Sequence, residues 1–527
     1  MILETQKISS LIDLGKFEKA FIKVNHLLTA SKDGIKKDNN YFLLLSNIAS
    51  LLIDIGHMHY NDKASKKGLE LMEENEDKFI ELIGRSTFYY NLGNAKSNLL
   101  KTDNTLDISN YQSFHDIEQL VEIKSYQWKA IKFAFEDEGL PPPEYIVNLG
   151  NILKRQFRLV EALECYDRVN KLNFDIPESW INKSESLILL SQISTTHTIQ
   201  MLQQIKEGYE QAIISENTPP VWIKSYQDKV DYWSSQISGI CKEENIEIDE
   251  HDSDETINEY KGLSKFRKFC LDNNLSLSEH GLYCKCAGSA RDNLTISTFS
   301  GVIGEFIVPM EMVLNRIKSE FSFARRLYYE YLMENTPNNL LNDSYFSKLF
   351  DDELLGLDVE KLRTSFRLCF GILDKIGVAI CELYKVYPAN GNVSFQSFWQ
   401  LDSNDRREKF EKNKTAGLLA LYSIATDLND RKGGELAFFK TWRNDLEHKF
   451  VVIHKNEKPS DIYSSYAFMD GMVFIQEVEF RQHLKQLLQL TRSAIFSFVF
   501  MVREEALKNK DEKGVYIANE ILRQDRY

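Results

Sequence analysis

The chain has 527 residues, 43% hydrophobic and 27% charged, with 24 Gly and 10 Pro, 34 together. At roughly 150 residues per domain this length gives two to four domains, and so few turn-formers (average usage is near 12%) exclude sandwiches, propellers and collagen-like chains in favour of long helices. A net charge of −14, from 78 acidic and 64 basic side chains, excludes a surface that binds nucleic acid or anionic lipid all over, though not a local basic groove.

The amino terminus, MILETQKISSLIDLG, lacks the basic start and apolar run of a signal peptide and reads as a helix. The apolar runs Tyr41 to Ile53 and Ala494 to Val502 read as too short to span a bilayer. Seven scattered Cys, an odd number, suit reduced thiols. A cytoplasmic protein with no membrane partner is expected.

Residues 1–242 carry a period. Pro143-Glu144-Tyr145-Ile146-Val147-Asn148 opens a helix, and Pro177-Glu178-Ser179-Trp180-Ile181-Asn182 repeats Pro, Glu and Asn at the same phases 34 residues later. Between them Glu161 to Val169 forms a second helix, with small Ala162 where two helices must approach. Tyr89 to Ala95 reads as another first helix, and Gly15 to Ala20 as a junction into a second one. Such a 34-residue helix–turn–helix unit resembles the tetratricopeptide (TPR) repeat, which implies an α-solenoid whose groove takes a protein or ligand partner. Asn91 and Asn148 are 57 residues apart, so an insertion of about 23 residues is expected near Thr102 to Ser113. A generic bundle of helical hairpins is the plainer alternative.

From Lys242 to Glu259 nine acids stand against one Lys, without an aromatic, so residues 243–259 are expected to be a solvated acidic linker. Residues 260–308 read as an irregular connecting segment. Its β-branched run Leu294 to Phe299, followed by Gly301 and Gly304, suits short strands or extended loops. Within it His280, Cys284 and Cys286, with Cys270 upstream, invite a zinc reading. One Cys-x-Cys and one His without a second pair make a poor structural zinc set, so a reduced, partly buried loop is expected.

Residues 309–527 read as a helical bundle: Glu311 to Glu334, a long central helix Lys361 to Tyr387, a pair Thr415 to Leu428 and Glu435 to Val451 around Gly433-Gly434, and a last helix Gly471 to Lys508. In the second helix of the pair lies Trp442-Arg443-Asn444-Asp445-Leu446-Glu447-His448. A histidine titrating near pH 6.5 exchanges protons at neutral pH. An arginine fork suits phosphate oxygens. Asn444 precedes His448 by four residues and shares a helical face with it, where it could orient the imidazole or hold phosphate. Arg443 and His448 are five apart, about 140° around a helix, so convergence asks for a helix end or a second copy of the chain. Plainer roles exist for each: an Arg443–Glu447 surface pair, and a satisfied helix-end histidine at His448.

Together with Phe366 to Ile376 and Leu419 to Ile424, the spacing from Arg443-Asn444 to His448 resembles the HEPN family, in the subfamily that accompanies TPR repeats in bacterial proteins. The resemblance implies a metal-independent endoribonuclease, with Arg443, Asn444 and His448 as catalytic residues in a cleft built by a homodimer, and RNA as substrate. It implies cleavage to 2′,3′-cyclic phosphate and 5′-OH ends, and a role as a toxin or anti-phage effector. Asp374, an acid in an apolar run, and Glu447 are possible supporting residues. Asp374 faces the motif, pairs with Lys375 or lies in solvent. HEPN toxins silenced by a partner nucleotidyltransferase resemble a pattern with Tyr two residues after the His. Phe450 stands there in this chain, which implies that this mode of silencing is absent.

The expected fold class is all-α, a TPR-like solenoid followed by a HEPN-like bundle with a short irregular or β segment between. No cofactor or metal is expected, since no Walker A loop, Rossmann glycine fingerprint or His-Glu-x-x-His is present. From another class, the alternative is a non-enzymatic TPR adaptor whose bundle only dimerises or binds RNA.

Overall fold

A computed structural model describes residues 2–32, 37–100, 113–172, 174–194, 198–245, 252–296, 307–334, 346, 352–456 and 471–508. The chain divides into two compact units, Met1–Ile248 and Asp249–Tyr527. It is all-α apart from one two-stranded sheet among the described residues.

In the first unit the described helices are α1 (Ile2–Asp13), α2 (Phe17–Lys32), α3 (Asn39–Met58), α4 (Asp62–Glu74), α5 (Glu76–Ile83), α6 (Arg85–Leu99), α7 (Phe114–Glu138), α8 (Pro143–Arg155), α9 (Leu159–Lys171), α10 (Pro177–Ser194), α11 (Ile199–Ile214) and α12 (Pro220–Glu244). Sequence neighbours pack as pairs, α8 on α9 and α10 on α11 among them. Pro143 and Pro177 each open the first helix of such a pair, where a missing N–H has no helical partner to lose. Ala162 is fully buried, in one apolar cluster with Tyr145, Leu149 and Tyr166. The insertion expected near Thr102 to Ser113 falls almost wholly outside the described residues; Ser113 itself caps α7, its hydroxyl accepting from Asp116 N.

Helix α3 runs beyond the apolar stretch that the sequence marks. At 20 residues it is long and apolar enough to cross a membrane by length and composition, which corrects the reading of Tyr41 to Ile53 as too short. Its apolar side has a packing role: Leu44, Leu45, Ile48 and Leu52 share one core with Ala64 and Met72 of α4 and Phe88 of α6.

The acidic stretch is not all linker. Helix α12 extends to Glu244, and α13 (Asp252–Gly262) begins ten residues after Lys242. Next come α14 (Lys265–Asp272) and two single 3-10 turns, His280–Leu282 and Gly288–Ala290. No strand forms at Leu294 to Ile296, where Leu294 N donates to Leu277 O at 3.0 Å; Ser297 to Phe299 lie outside the described residues. This segment is stapled into the second unit. Arg325 donates to Asp292 Oδ1 at 2.9 Å and Arg267 to Asp292 Oδ2 at 2.6 Å. Burial works against the Asp292 charge, yet the two guanidiniums outweigh it and hold the carboxyl well below the usual range. Arg492 Nε donates to Ser276 O at 2.7 Å, and Arg503 Nε to Thr295 O at 3.1 Å.

The bundle proper has α15 (Ile307–Met333), α16 (Leu357–Tyr384), α17 (Asn404–Lys412), α18 (Ala416–Asp427), α19 (Phe438–His448) and α20 (Glu477–Lys508). Helix α16 packs on both α15 and α20, and buries Leu362, Phe366, Phe370, Leu373 and Ile376. Every residue of α18 is buried, and it packs on α20. Polar α17, with Phe410 its one buried residue, escapes a reading built on apolar period. Gly433, at φ +68°, and Gly434, where a Cβ would sit 2.3 Å from the carbonyl oxygens of Thr426 and Asp427, fold the chain back from α18 toward α19.

At two of the expected helix ends the chain forms strand instead. Helix α19 stops at His448, and Phe450–His454 forms strand β1; Met472–Gln476 forms β2 before α20 begins. The run Phe450-Val451-Val452-Ile453 is β-prone, and Lys449 is already extended at φ −131°, ψ −179°. The strands pair in parallel, Phe450 opposite Met472 through His454 opposite Gln476. On the other edge of β1, Leu354 N donates to Ile453 O at 2.9 Å.

Candidate functional site

Helix α19 is amphipathic: Phe439, Asp445 and Leu446 are buried, while Thr441, Glu447 and His448 face solvent. Aromatic rings fix it to its neighbours. Trp442 stacks on Phe480 of α20 at 5.5 Å and 2°, meets His483 edge-on at 5.4 Å, and lies 6.1 Å from Phe366 of α16. Phe438 and Phe439 also meet His483, at 4.7 and 5.8 Å. Edge and stacked pairs of this kind add about 0.5–1.5 kcal/mol each beyond area burial. The residue that follows Trp442, Arg443, is thereby held in a defined position.

Arg443 is half-buried, and its Nη1 donates to Asn444 Oδ1 at 3.3 Å. Asn444 therefore spends its oxygen on Arg443, and no described contact joins it to the His448 ring. Among the described residues Arg443 makes no ion pair with Glu447. That carboxylate lies 3.3 Å from Arg367 Nε instead. Asp445, the buried acid of the helix, is paired with Lys449 at 2.8 Å. His448 is exposed as the last residue of α19, with no hydrogen-bond partner among the described residues.

Asp374 on α16 accepts from Phe395 N at 2.9 Å. Burial raises its pKa, and Arg443, close enough to act by Coulomb attraction, opposes that rise together with Lys375. Lys375 itself is bound to Glu320 at 2.8 Å. Asp374 is half-buried, with Phe395 N as its hydrogen-bond donor.

Arg367 and Arg363 were not singled out by sequence reasoning. Arg367 Nη2 donates to Leu446 O at 2.7 Å, and Arg363 Nη2 to Val451 O at 2.6 Å. Both sit on α16, four residues apart, and both clasp the stretch that ends α19 and begins β1. The available signal was that i, i+4 arginine pair, one helical turn apart on a single face. Their cations lie where the helix dipole is negative. A cavity of about 450 Å³ opens nearby, bordered by Asn392, Gln396, Trp399, Asp402, Lys432 and, from α19, Lys440. Arg443, Asn444 and His448 do not line it.

The donor atoms of His280, Cys284 and Cys286 lie within 4.8 Å of one another, where the sequence weighed zinc against a reduced loop and favoured the loop. Cys270 is not in the group, and burial pushes its thiol up to about 11.

Residues 304–505 match the family model of the LA2681-like HEPN domains. The carboxy-terminal unit thus carries a HEPN-family domain, and the Arg443–His448 helix lies inside it. No curated protein matches the chain.

Proposed function

We propose that the chain is a metal-independent endoribonuclease of HEPN type, with Arg443, Asn444 and His448 at its active site and the amino-terminal helices acting as a TPR-like sensor that controls it. One observation carries the reading: an arginine held against an amide and a solvent-exposed histidine, unpartnered among the described residues, share one aromatically clamped helix within a HEPN-family domain.

In this chemistry the RNA 2′-OH attacks the adjacent phosphorus while the P–O5′ bond breaks, leaving a 2′,3′-cyclic phosphate and a 5′-OH. One imidazole removes the 2′ proton and another donates a proton to the departing 5′ oxygen. Each chain offers one His448, so a homodimer that joins two copies of α19 supplies both. Arg443 answers the charge that builds on the pentacoordinate phosphorus, and Asn444 Nδ2 remains as a further donor. Asp374, behind Arg443, and Arg367, on Glu447, position the helix. We place the protein among growth-arresting effectors, toxins or anti-phage systems, acting in the cytoplasm.

The test is to incubate the purified full chain with total RNA in EDTA and map the new ends. Cuts bearing 5′-OH in the wild type, absent with His448→Ala, are expected. Cleavage lost on chelation and restored by Mg²⁺ or Mn²⁺ points instead to a metal nuclease. No cleavage under any condition, with RNA still bound, favours the adaptor.

A further inference from the structure

We propose that His280, Cys284 and Cys286 bind a thiophilic divalent cation of the zinc class, with the fourth coordination position open to water or another exogenous donor.

Three features build the site. The first is local folding: the His280–Leu282 turn returns the chain so that Cys284 N donates to His280 O at 3.0 Å, bringing residues four apart onto one side. The second is a brace from the next turn. Ser289 N donates to Cys286 O at 3.2 Å, and Ser276 Oγ to Ser289 O at 2.6 Å. Gly281 passes so close that a Cβ there would lie 3.1 Å from Ser289 O. The third is the orientation of the imidazole. Tyr283 Oη lies 3.1 Å from His280 Nδ1, and its ring meets the imidazole edge-on at 5.0 Å. Ligating histidines are commonly fixed by such outer partners.

The donor set selects the metal. Two sulfurs and one imidazole nitrogen within 4.8 Å suit zinc and its soft neighbours, and not Mg²⁺ or Ca²⁺, which take oxygen. All three residues are half-buried, which leaves access for a fourth donor.

The site is remote from the Arg443 helix. Its segment is pinned to the far part of α20, with Glu279 2.7 Å from Arg503, whereas Trp442 packs at Phe480. At 1.5 Å per residue those two positions are about 35 Å apart along the helix. The proposal therefore stands whether or not the nuclease reading does.

The experiment uses full-length protein kept reduced, stripped with EDTA and titrated with Co²⁺ alone. One equivalent per chain is expected, with a sulfur-to-cobalt charge-transfer band that Zn²⁺ abolishes. Cys241→Ser should behave as wild type. The Cys284→Ser/Cys286→Ser double variant should lose the band, and His280→Ala should bind at least about 100-fold more weakly. Circular dichroism establishes that each variant is folded. Thiol labelling of the unmutated protein gives a second readout, in which Zn²⁺ should protect two thiols. A folded wild type with no thiolate band and no protection would overturn the proposal, and so would an undiminished band in the double variant.

Discussion

Arg367 donates to the carbonyl oxygen of Leu446 at 2.7 Å, across 79 residues of chain. The guanidinium thus closes the last turn of the helix that ends in His448, while its Nε faces Glu447.

Removing that contact should loosen one turn. In Arg367→Ala the lost hydrogen bond and dipole interaction are together worth about 1–2 kcal/mol. Hydrogen exchange of the Lys449 amide, bonded to Asp445 O at 2.8 Å, should accelerate about tenfold or more. RNA cleavage should fall with it. Unchanged exchange at Lys449 would show that Arg367 does not hold the turn.

His448→Ala should separate chemistry from stability. The side chain is exposed and unpartnered among the described residues, so the melting transition should move by no more than about 0.5 kcal/mol. Cleavage and any growth toxicity should vanish. Arg443→Ala should also abolish cleavage, and Arg443→Lys should restore it poorly, because an ammonium lacks the planar fork. An active alanine variant at either position removes this helix from the mechanism.

Asp374 should leave a signature in pH. Burial is the main cause of its raised pKa, so the folded state binds the proton more tightly than the unfolded chain. Its contribution to stability is then full below the ordinary carboxylate range and is lost as pH rises through the folded pKa. Asp374→Asn keeps an oxygen for Phe395 N and removes the charge. Relative to wild type it should gain stability toward neutral pH and show little difference in acid, measured as paired melting temperatures. Wild type more stable than the variant at neutral pH would mean that attraction to Arg443 outweighs burial.

Control by the amino-terminal unit is testable by cutting the chain at Asp249, where the two compact units divide. If the helical repeat restrains the nuclease, residues 249–527 expressed alone should be toxic, and His448→Ala should cure the toxicity. If the repeat assembles the dimer, the fragment should be inert and monomeric by light scattering. Restraint is the expected outcome, because an unrestrained ribonuclease harms its own cell. A fragment with the rate, mass and toxicity of the full chain would show that the repeat exerts no control.

The all-α class was legible because apolar period and scarce turn-formers report directly on helices. The motif was legible as spacing, and the 140° divergence of Arg443 and His448 asked for a helix end or a second copy without choosing between them. The end of α19 was misjudged, since Val451 to Ile453 continues an apolar pattern that only its pairing with β2 turns into strand. Long-range partners were out of reach. Arg367 on Leu446, Trp442 on Phe480 and the convergence of His280 with two cysteines depend on tertiary placement, which spacing does not encode. Asp374 was half legible: its anomaly in an apolar run was plain, but its hydrogen bond from Phe395 N, 21 residues on, depends on tertiary placement.

The parallel pair β1–β2 joins residues separated by the 17 positions 455–471, and the ring that clamps Trp442 belongs to Phe480. A ribosome that has just exposed His448 has yet to deliver either. Synthesis must proceed some thirty residues further, and a crossover must close, before the helix finds its ladder and its aromatic seat. The newborn chain therefore holds α19 without its strand partner and its aromatic seat until α20 emerges, and a truncation before residue 472 would leave it so.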